Sequence, residues 1–360
     1  MITKKYYKLV KVSYEDSGYF YIKNISNTTG VFNITKRGTP QSWDLEYSTD
    51  GVTWNSYDMT TLPNIDVNAG SHLYLKGNTA TYLSDYSGYT LQFNADFNIG
   101  GNLCSLLSKD NFNSLVLTVQ NSRWNSLFSG NTHLISAGDL NFGSNTYITG
   151  MGYTFSGCTS LTTPPDFSNI TSVDGYAFQQ TFQNCTSLVT PPDFSNIATA
   201  SGHNIFESTF SGCTSLVTPP NFDSFDYDSL EYQQVFASTF YNCTSLATPP
   251  QFGALRHIGK QWFSSTFQGC TSLTSGVDFS NITTVHSTEQ LCGQMYYGCS
   301  KLSTAYAPDI EAWSNFQFKN WLYNAGTQAT GTKTFYKPAA LTIPTGTADG
   351  VPTGWTVQNY

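Results

Sequence analysis

The chain has 360 residues, enough for two ordinary domains or for one small domain followed by a repeat array. Only 11% of the residues are Asp, Glu, Lys or Arg, and the net charge is −8. No run of basic residues occurs, so we expect neither nucleic acid nor an anionic membrane surface as a partner, because both need clustered Lys and Arg. No apolar run is long enough for a signal peptide or a membrane span, so we expect no export leader and no membrane insertion.

Residues 1–98 alternate apolar and polar side chains as half-buried strands do. Polar turn residues separate these runs, and Asp50 with Gly51 is typical of a tight hairpin. We therefore predict a small antiparallel β-sandwich. The segments with the strand pattern are YFYIKNI, GVFNIT, WDLEYS, HLYLKGN and TLQFNADFNI.

The segment STDGVTW at 48–54 is similar to the Asp-box of sialidases, S-x-D-x-G-x-T-W. It is one residue short of that motif and occurs once. We therefore favour a hairpin turn over a glycosidase motif at this position.

A fifteen-residue motif recurs after this region. Near-identical copies begin at residues 155, 182, 210 and 240 with the sequences FSGCTSLTTPPDFSN, FQNCTSLVTPPDFSN, FSGCTSLVTPPNFDS and FYNCTSLATPPQFGA. The cysteines of six copies are separated by 27, 28, 30, 27 and 29 residues. A period of this length predicts a solenoid. A degenerate copy with Asn131 in the cysteine position brings the number of coils to seven.

Each coil carries large apolar residues at helical spacing around its cysteine. In four of the coils, aromatic residues stand seven and three positions before the cysteine, and Leu stands three positions after it. These steps predict the buried face of a short helix, and the paired prolines that follow predict a brief strand and an extended return. One coil cannot bury this face alone, so we predict that coils stack their aromatic and thiol rows. The predicted ladder is Phe155, Cys158, Leu161, Phe182, Cys185, Leu188, Phe210, Cys213, Leu216, Phe240, Cys243, Leu246, Phe267, Cys270 and Leu273.

Eight cysteines would suggest disulfides in a secreted protein, but six of them keep one position of the repeat. We expect these six to be buried free thiols that act as small hydrophobic side chains. No C-x-x-C, H-E-x-x-H, G-x-S-x-G, P-loop or G-x-G-x-x-G motif occurs. We therefore expect no catalytic residues, no metal and no cofactor.

The fourth coil is longer than the others and contains the irregular stretch NFDSFDYDSLEYQQ at 221–234. Insertions in a solenoid form loops on one face, and aromatic and carboxylate side chains together suit the stacking and hydroxyl bonding of carbohydrate. The alternative is a solvated loop with a neighbouring salt bridge, which is the more ordinary role for such residues. The predicted binding residues are Asp226, Tyr227, Asp228 and Tyr232, with Arg256 and His257 from the next coil.

The F-x-x-C-T-S-L core of the repeats resembles the BspA-like, Treponema-type leucine-rich repeat. The longer form TF-x-x-C-T-S-L-x-T-P-P looks like proteins of gut Bacteroidetes and of the tailed phages that infect them. The resemblance covers about residues 100–355, from an introductory segment at 101–112 to a closing cap that begins at KTFYKPAAL. The chain departs from the family pattern at Gly276 and Val277, where paired prolines are expected, and at Cys292, which replaces a phenylalanine.

The resemblance and the strand pattern together predict a mainly β protein with short helices. We place an N-terminal antiparallel β-sandwich at 1–98, a leucine-rich-repeat solenoid of about seven coils at 99–310, and a C-terminal capping segment at 311–360. By resemblance, the sandwich is expected to serve in docking or as a spacer.

The resemblance implies a surface-exposed interaction protein, either a bacterial adhesin or a virion component. Because the sequence shows no leader, we expect a non-enzymatic structural protein of a tailed-phage virion, a tail or head appendage assembled in the host cytoplasm. The expected partners are other virion proteins, further copies of the chain in a homo-oligomer, and a host-surface glycan or protein receptor. The alternative is a bacterial cell-surface adhesin whose leader is missing. A glycan-cleaving enzyme ranks third.

Overall fold

The computed structural model describes residues 18–40, 42–79, 88–117, 124–225, 233–282, 284–285, 290–310 and 317–360. These residues form seventeen β-strands and two short 3₁₀ turns, Leu103–Leu106 and Phe112–Ser114. No α-helix occurs in this part of the chain, and none of its helical segments has the length and hydropathy of a membrane span. The described fold is therefore built from strands and turns.

Two β-sheets form the N-terminal region. Their strands are β1 (Phe20–Asn24), β2 (Gly30–Arg37), β3 (Asp44–Ser48), β4 (Asn55–Ser56), β5 (Ile65–Val67), β6 (His72–Asn78), β7 (Gly88–Phe93), β8 (Phe97–Asn102) and β9 (Leu134–Asn141). One sheet has the order β4-β3-β6-β1-β8-β9 and the other has the order β5-β2-β7. The predicted strand segments all contain strands, and the predicted turn at Asp50 and Gly51 joins β3 to β4.

Alternation decides which side chains of these strands are buried. Ile22 in β1 lies between Leu73 of β6 and Ile99 of β8, and all three side chains are buried. In β2 the buried residues Phe32 and Ile34 are two positions apart, which is the period of a strand with one apolar face. Buried residues of both sheets belong to one hydrophobic cluster.

The N-terminal sheets are hydrogen-bonded to the first coil of the repeat region. In the larger sheet, β8 pairs in parallel with β9, which belongs to that coil. Beside the smaller sheet, the Leu91 N–H donates to the Leu127 carbonyl at 2.8 Å, and the Phe93 N–H donates to Asn131 Oδ1 at 3.1 Å. Strand β8 also crosses the predicted domain boundary at residue 98. The two regions are therefore continuous, and the N-terminal sheets cover the first coil.

Short parallel strands connect the coils of the repeat region. They are β10 (Tyr147–Ile148), β11 (Ser172–Val173), β12 (Thr199–Ala200), β13 (His257–Ile258), β14 (Thr284–Val285), β15 (Thr304–Tyr306), β16 (Lys333–Lys337) and β17 (Trp355–Asn359). They pair as β10-β11-β12, β13-β14 and β15-β16-β17. Strand β15 occupies the positions that hold the paired prolines in earlier coils, and it can form there because a non-proline residue has an N–H to donate.

The segment before each ladder cysteine is a ribbon of consecutive turns, so the prediction of a helix there is wrong. In coil 3, the N–H groups of Phe178 and Phe182 donate to the carbonyls of Ile205 and Thr209 in the next coil, both at 2.9 Å. The N–H of Thr181, between them, donates back to the Phe178 carbonyl at 3.2 Å. Alternate N–H groups thus bond within the coil and between coils, whereas an α-helix would use all of them internally.

Every fourth residue of the ribbon has a positive φ. In coil 3 these residues are Tyr176, Gln180 and Asn184, with φ of 61°, 51° and 59°. The last of the three positions, just before the ladder cysteine, always holds Asn or Gly, which adopt this conformation at the lowest cost. This row is Gly157, Asn184, Gly212, Asn242, Gly269 and Gly298.

The fifteen ladder residues are fully buried. The phenylalanine rings stack face to face along the coils: the Phe210 ring centroid lies 5.6 Å from that of Phe182 and 5.7 Å from that of Phe240. A buried threonine precedes each of these rings in the TF pair, and Thr209 Oγ1 donates to the Phe178 carbonyl at 2.8 Å. The core of the repeats therefore consists of columns that run from coil to coil, with threonine hydroxyls satisfying carbonyls between them.

The chain contains a further coil within the predicted capping segment. The N–H groups of Cys292 and Tyr296 donate to the carbonyls of Gln317 and Trp321, at 3.0 and 2.8 Å. This alternation matches the earlier coils and extends the stack to an eighth, which ends in β16. The rest of the segment closes the stack, and the Trp321 indole N–H donates to the Gly350 carbonyl at 3.0 Å.

Candidate functional site

The predicted binding residues are only partly described. Arg256 is exposed, and its Nη1 donates to the carbonyls of Gly253 and Leu255 at 2.7 and 3.1 Å, within its own coil. His257 lies in β13, where it pairs with Thr284 of the next coil. The remaining predicted binding residues, Asp226, Tyr227, Asp228 and Tyr232, lie outside the described residues.

All eight cysteines are buried free thiols. In the ladder, each thiol donates to the carbonyl of a phenylalanine in the preceding coil, as Cys213 does to Phe182 at 3.0 Å between Sγ and O. Burial raises the pKa of Cys213 to about 12 and the pKa of Cys185 well above its ordinary value. Such thiols are protonated at neutral pH, so the ladder supplies packing and hydrogen bonds and no nucleophile.

An exposed polar residue stands eight positions after the ladder position in six successive coils. Each of these side chains is exposed on what we term the return face, the surface between the ladder leucine and the next short strand. Several of them close an Asx turn: Asp166 Oδ1 accepts from the Ser168 N–H, and Asp193 Oδ1 accepts from the Ser195 N–H, both at 2.8 Å. Stacking therefore repeats one polar position from coil to coil. The row is Asp139, Asp166, Asp193, Asn221, Gln251 and Asp278.

A pocket of about 280 Å³ opens on the return face between coils 4 and 5. Asp223 joins the two coils, because its Oδ1 accepts from the Gly253 N–H at 3.0 Å and its carbonyl accepts from the Ala254 N–H at 2.9 Å. The Asn221 side chain is held by its own turn, in which Oδ1 accepts from the Asp223 N–H at 2.7 Å. This coil 4–5 pocket is lined by Pro219, Pro220, Asn221, Asp223, Thr248, Pro249 and Gln251.

Three of the residues that line the coil 4–5 pocket are prolines. Pro219, Pro220 and Pro249 have no N–H, so this stretch of coil cannot donate to a neighbour as the strands do. Pro219 is partly exposed in this lining, and the side chains of Thr248 and Gln251 are exposed.

A second pocket, of about 180 Å³, lies on the same face between coils 1 and 2. Its polar lining residues are Asp139, Asn141, Asn145, Asp166 and Asn169. The Tyr21 hydroxyl of β1 donates to Asp139 Oδ2 at 3.3 Å, so the N-terminal sheets help to position this lining. Within the described ranges, no three His, Cys, Asp or Glu side chains come together as a metal site.

The stretch that the sequence analysis singled out contains two residues of the coil 4–5 pocket, and the other lining residues were not predicted. Asn221 and Asp223 belong to the irregular stretch 221–234, whereas Thr248 and Gln251 come from the next coil. One signal was available in the sequence: the aspartate of TPPDF in coils 2 and 3 is replaced by Asn in TPPNF and by Gln in TPPQF.

The fold and the return face define a protein of stacked parallel repeats with a polar, periodic surface. No family model matches the chain, and no curated protein matches it. Among solved structures, the chain is similar to the crystal structure of a leucine-rich repeat protein from Treponema pallidum, with 16% sequence identity and a TM-score of 0.28 over 59% of this chain and 78% of that one. The hydrogen bonds and ring stacking between coils define the stacked architecture of this chain.

Proposed function

We propose that the protein is a non-enzymatic interaction protein of a tailed-phage virion, in which a leucine-rich-repeat solenoid contacts a glycan or protein on the host surface. The return face is the observation that carries this proposal. It presents one exposed polar side chain in each of six successive coils, in a register set by the stack, which is how repeat proteins build extended binding surfaces. The N-terminal sheets, which we interpret as the predicted sandwich, cover the first coil and leave their remaining surface for attachment to the particle.

The free thiols support assembly in a reducing cytoplasm rather than export. Before the coils stack, the eight cysteines of the unfolded chain would be exposed, and an oxidising compartment would couple them. In a reducing cytoplasm they stay reduced until burial protects them. A virion protein made in the host cytoplasm meets this requirement, whereas an exported adhesin would fold under oxidising conditions.

Mass spectrometry of purified virions tests the proposed location. We expect peptides of this chain in particles banded on a density gradient, at a copy number that matches a symmetric head or tail appendage. Finding the chain only in envelope fractions of a bacterial host would replace the proposal with the adhesin alternative.

Binding to host cells tests the proposed interaction. The purified full chain, labelled with a fluorophore, should bind intact host cells and should compete with the phage for adsorption. A preparation that releases sugars from host polysaccharide would favour the glycan-cleaving alternative. Light scattering of the same preparation measures the proposed homo-oligomer.

A further inference from the structure

We infer that the coil 4–5 pocket binds a neutral hexopyranose unit of a glycan. This inference rests on the proposed interaction function and adds to it the place and the chemical class of the ligand. The residues that would contact the sugar are Asn221, Asp223, Thr248 and Gln251, beside the partly exposed ring of Pro219.

In the polar row of the return face, the side chains change from carboxylates to carboxamides at this pocket. Four of its six members are aspartates, and the two carboxamides, Asn221 and Gln251, are the two members that line the coil 4–5 pocket. A carboxylate only accepts hydrogen bonds, whereas a carboxamide both donates and accepts. Vicinal sugar hydroxyls also donate and accept hydrogen bonds. The replacement of aspartate by Asn221 and Gln251 therefore places groups in the pocket that can bond to both.

The pocket residues keep hydrogen-bonding capacity for a ligand. Asn221 uses Oδ1 in its turn and Asp223 uses Oδ1 on Gly253, and within the described residues their second polar atoms have no partner. The Thr248 hydroxyl and the Gln251 carboxamide are exposed and likewise have no side-chain partner in that part of the chain. Three donors and several acceptors therefore converge on one cleft.

The size and the wall of the pocket favour a small ring with an apolar side. Its volume of about 280 Å³ is just below the range for small-molecule sites, about 300 to 1,000 Å³, so only a small ligand fits. The partly exposed ring of Pro219 presents C–H groups, against which the C–H face of a pyranose can pack.

Charge selects a neutral ligand. The lining contains one carboxylate, Asp223, and no cationic side chain. The neighbouring aspartates Asp193 and Asp278 of the same row and the net charge of −8 further disfavour anionic sugars. Uronic and sialic acids are therefore expected to bind more weakly than uncharged hexoses.

The experiment is saturation-transfer NMR of the full chain with the methyl glycosides of glucose, galactose, mannose and N-acetylglucosamine, and with glucuronic acid. We expect transfer to at least one neutral glycoside, weaker transfer to glucuronic acid, and shifts of the Asn221 and Gln251 side-chain amide signals. The near-isosteric double variant Asn221→Asp and Gln251→Glu removes both amide donors and should weaken binding about tenfold or more. As the matched control, Asn55→Asp makes the same amide-to-carboxylate change at an exposed residue of β4, outside the return face, and should leave binding unchanged.

Two results would overturn the inference: no transfer to any of the neutral glycosides, or transfer that the double variant retains. The cell-binding experiment separates this failure from that of the proposed function. If no neutral glycoside binds at the pocket but the unmodified chain binds host cells, the interaction function stands and the pocket assignment is wrong. If the sugars bind at the pocket but the chain does not bind host cells, the pocket assignment stands and the proposed function fails.

Discussion

The N-terminal sheets and the repeat stack reach the same degree of burial by opposite means. In the sheets, each contact is specified once, as when the Trp43 indole N–H donates to the Leu106 carbonyl at 3.0 Å. In the stack, one set of contacts recurs in coil after coil: ring on ring, thiol to carbonyl, and threonine to carbonyl. A change in solution conditions that weakens one type of contact therefore affects single sites in the sheets. In the stack it weakens every copy of that contact at once.

The largest expected difference between the two regions is their response to alkaline pH. An unfolded thiol ionises near pH 8.5, while burial raises the pKa of Cys158 and Cys213 to about 12. A folded pKa above the unfolded one gives stability that is complete below the unfolded pKa and is lost as pH rises toward the folded pKa. By pH 10 the loss is about 2 kcal/mol for each buried thiol, and the stack contains six such thiols at one repeat position.

Urea unfolding of the reduced protein between pH 7 and pH 10 measures this loss. We expect the stack to unfold at a lower urea concentration as pH rises, and Cys213→Ala to make the dependence on pH shallower. A pH dependence that Cys213→Ala leaves unchanged would assign the alkaline loss to other groups.

The next largest effect is expected from removing a ring of the ladder. Phe210→Ala deletes a ring stacked on both sides, by Phe182 and Phe240, and should cost about 3 to 5 kcal/mol. Because each coil contacts only its neighbours, this loss should also split the unfolding of the stack into two transitions. The matched variant Phe32→Ala in β2 should destabilise the sheets without splitting the transition. Unfolding followed by circular dichroism distinguishes the two, and a single transition in Phe210→Ala would contradict nearest-neighbour coupling.

A smaller effect is expected in the row of Asn and Gly residues before the ladder cysteines. Gly212 has φ of +77°, and a Cβ at this position would meet Asn184 Oδ1 of the coil before. Gly298 has φ of +74° with open space around the same Cβ position. We expect Gly298→Ala to cost about 1 kcal/mol through backbone strain alone, and Gly212→Ala to cost more by a steric term. Changes in urea midpoint measure both costs.

The double variant Asn184→Gly with Gly212→Ala tests the steric term. It should recover part of the loss caused by Gly212→Ala, because the conflicting amide is gone. Equal costs for Gly212→Ala and Gly298→Ala, with no recovery in the double variant, would show that the coils do not contact each other through this row.

The smallest effect concerns an ion cluster in the N-terminal sheets. Lys109 Nζ lies 2.7 Å from Asp44 Oδ2 and 2.6 Å from Glu46 Oε1. Lys109→Met should cost about 1 kcal/mol, because the acidic partners are partly exposed to solvent. The hydrogen bond from Lys109 lowers the pKa of Glu46, so the stability it contributes is present above about pH 4.3 and is lost as pH falls further. Thermal unfolding at pH 7 and pH 3 should therefore show a larger effect of Lys109→Met at pH 7.

Much of the core could be predicted from the sequence, but not the backbone that carries it. The spacing of Phe178, Phe182 and Cys185 identified buried residues correctly. The same spacing also fits a helix, and only the bonds from Phe178 to Ile205 and from Phe182 to Thr209 show why a helix does not form. The alternation of Asn and Gly before the cysteines was a visible signal for left-handed residues.

The candidate pocket was less predictable than the core. Asn221 and Asp223 are close in sequence, but Thr248 and Gln251 are about one coil away and join them only because the coils stack. The hydrogen bond that joins β7 to the first coil through Asn131 could not be predicted either. In the sequence, Asn131 is only a substitution at the cysteine position, and its bond to the Phe93 N–H is seen only in the structure.

The amino-acid sequence by itself determined the repeat, the buried columns and the strands of the N-terminal sheets, because periodic side-chain hydrophobicity is a local property of the chain. The tertiary structure alone decided the turn ribbon, the eighth coil and the coil 4–5 pocket. These features depend on which backbone N–H groups find carbonyls in the neighbouring coil, and that choice is made only when the coils meet.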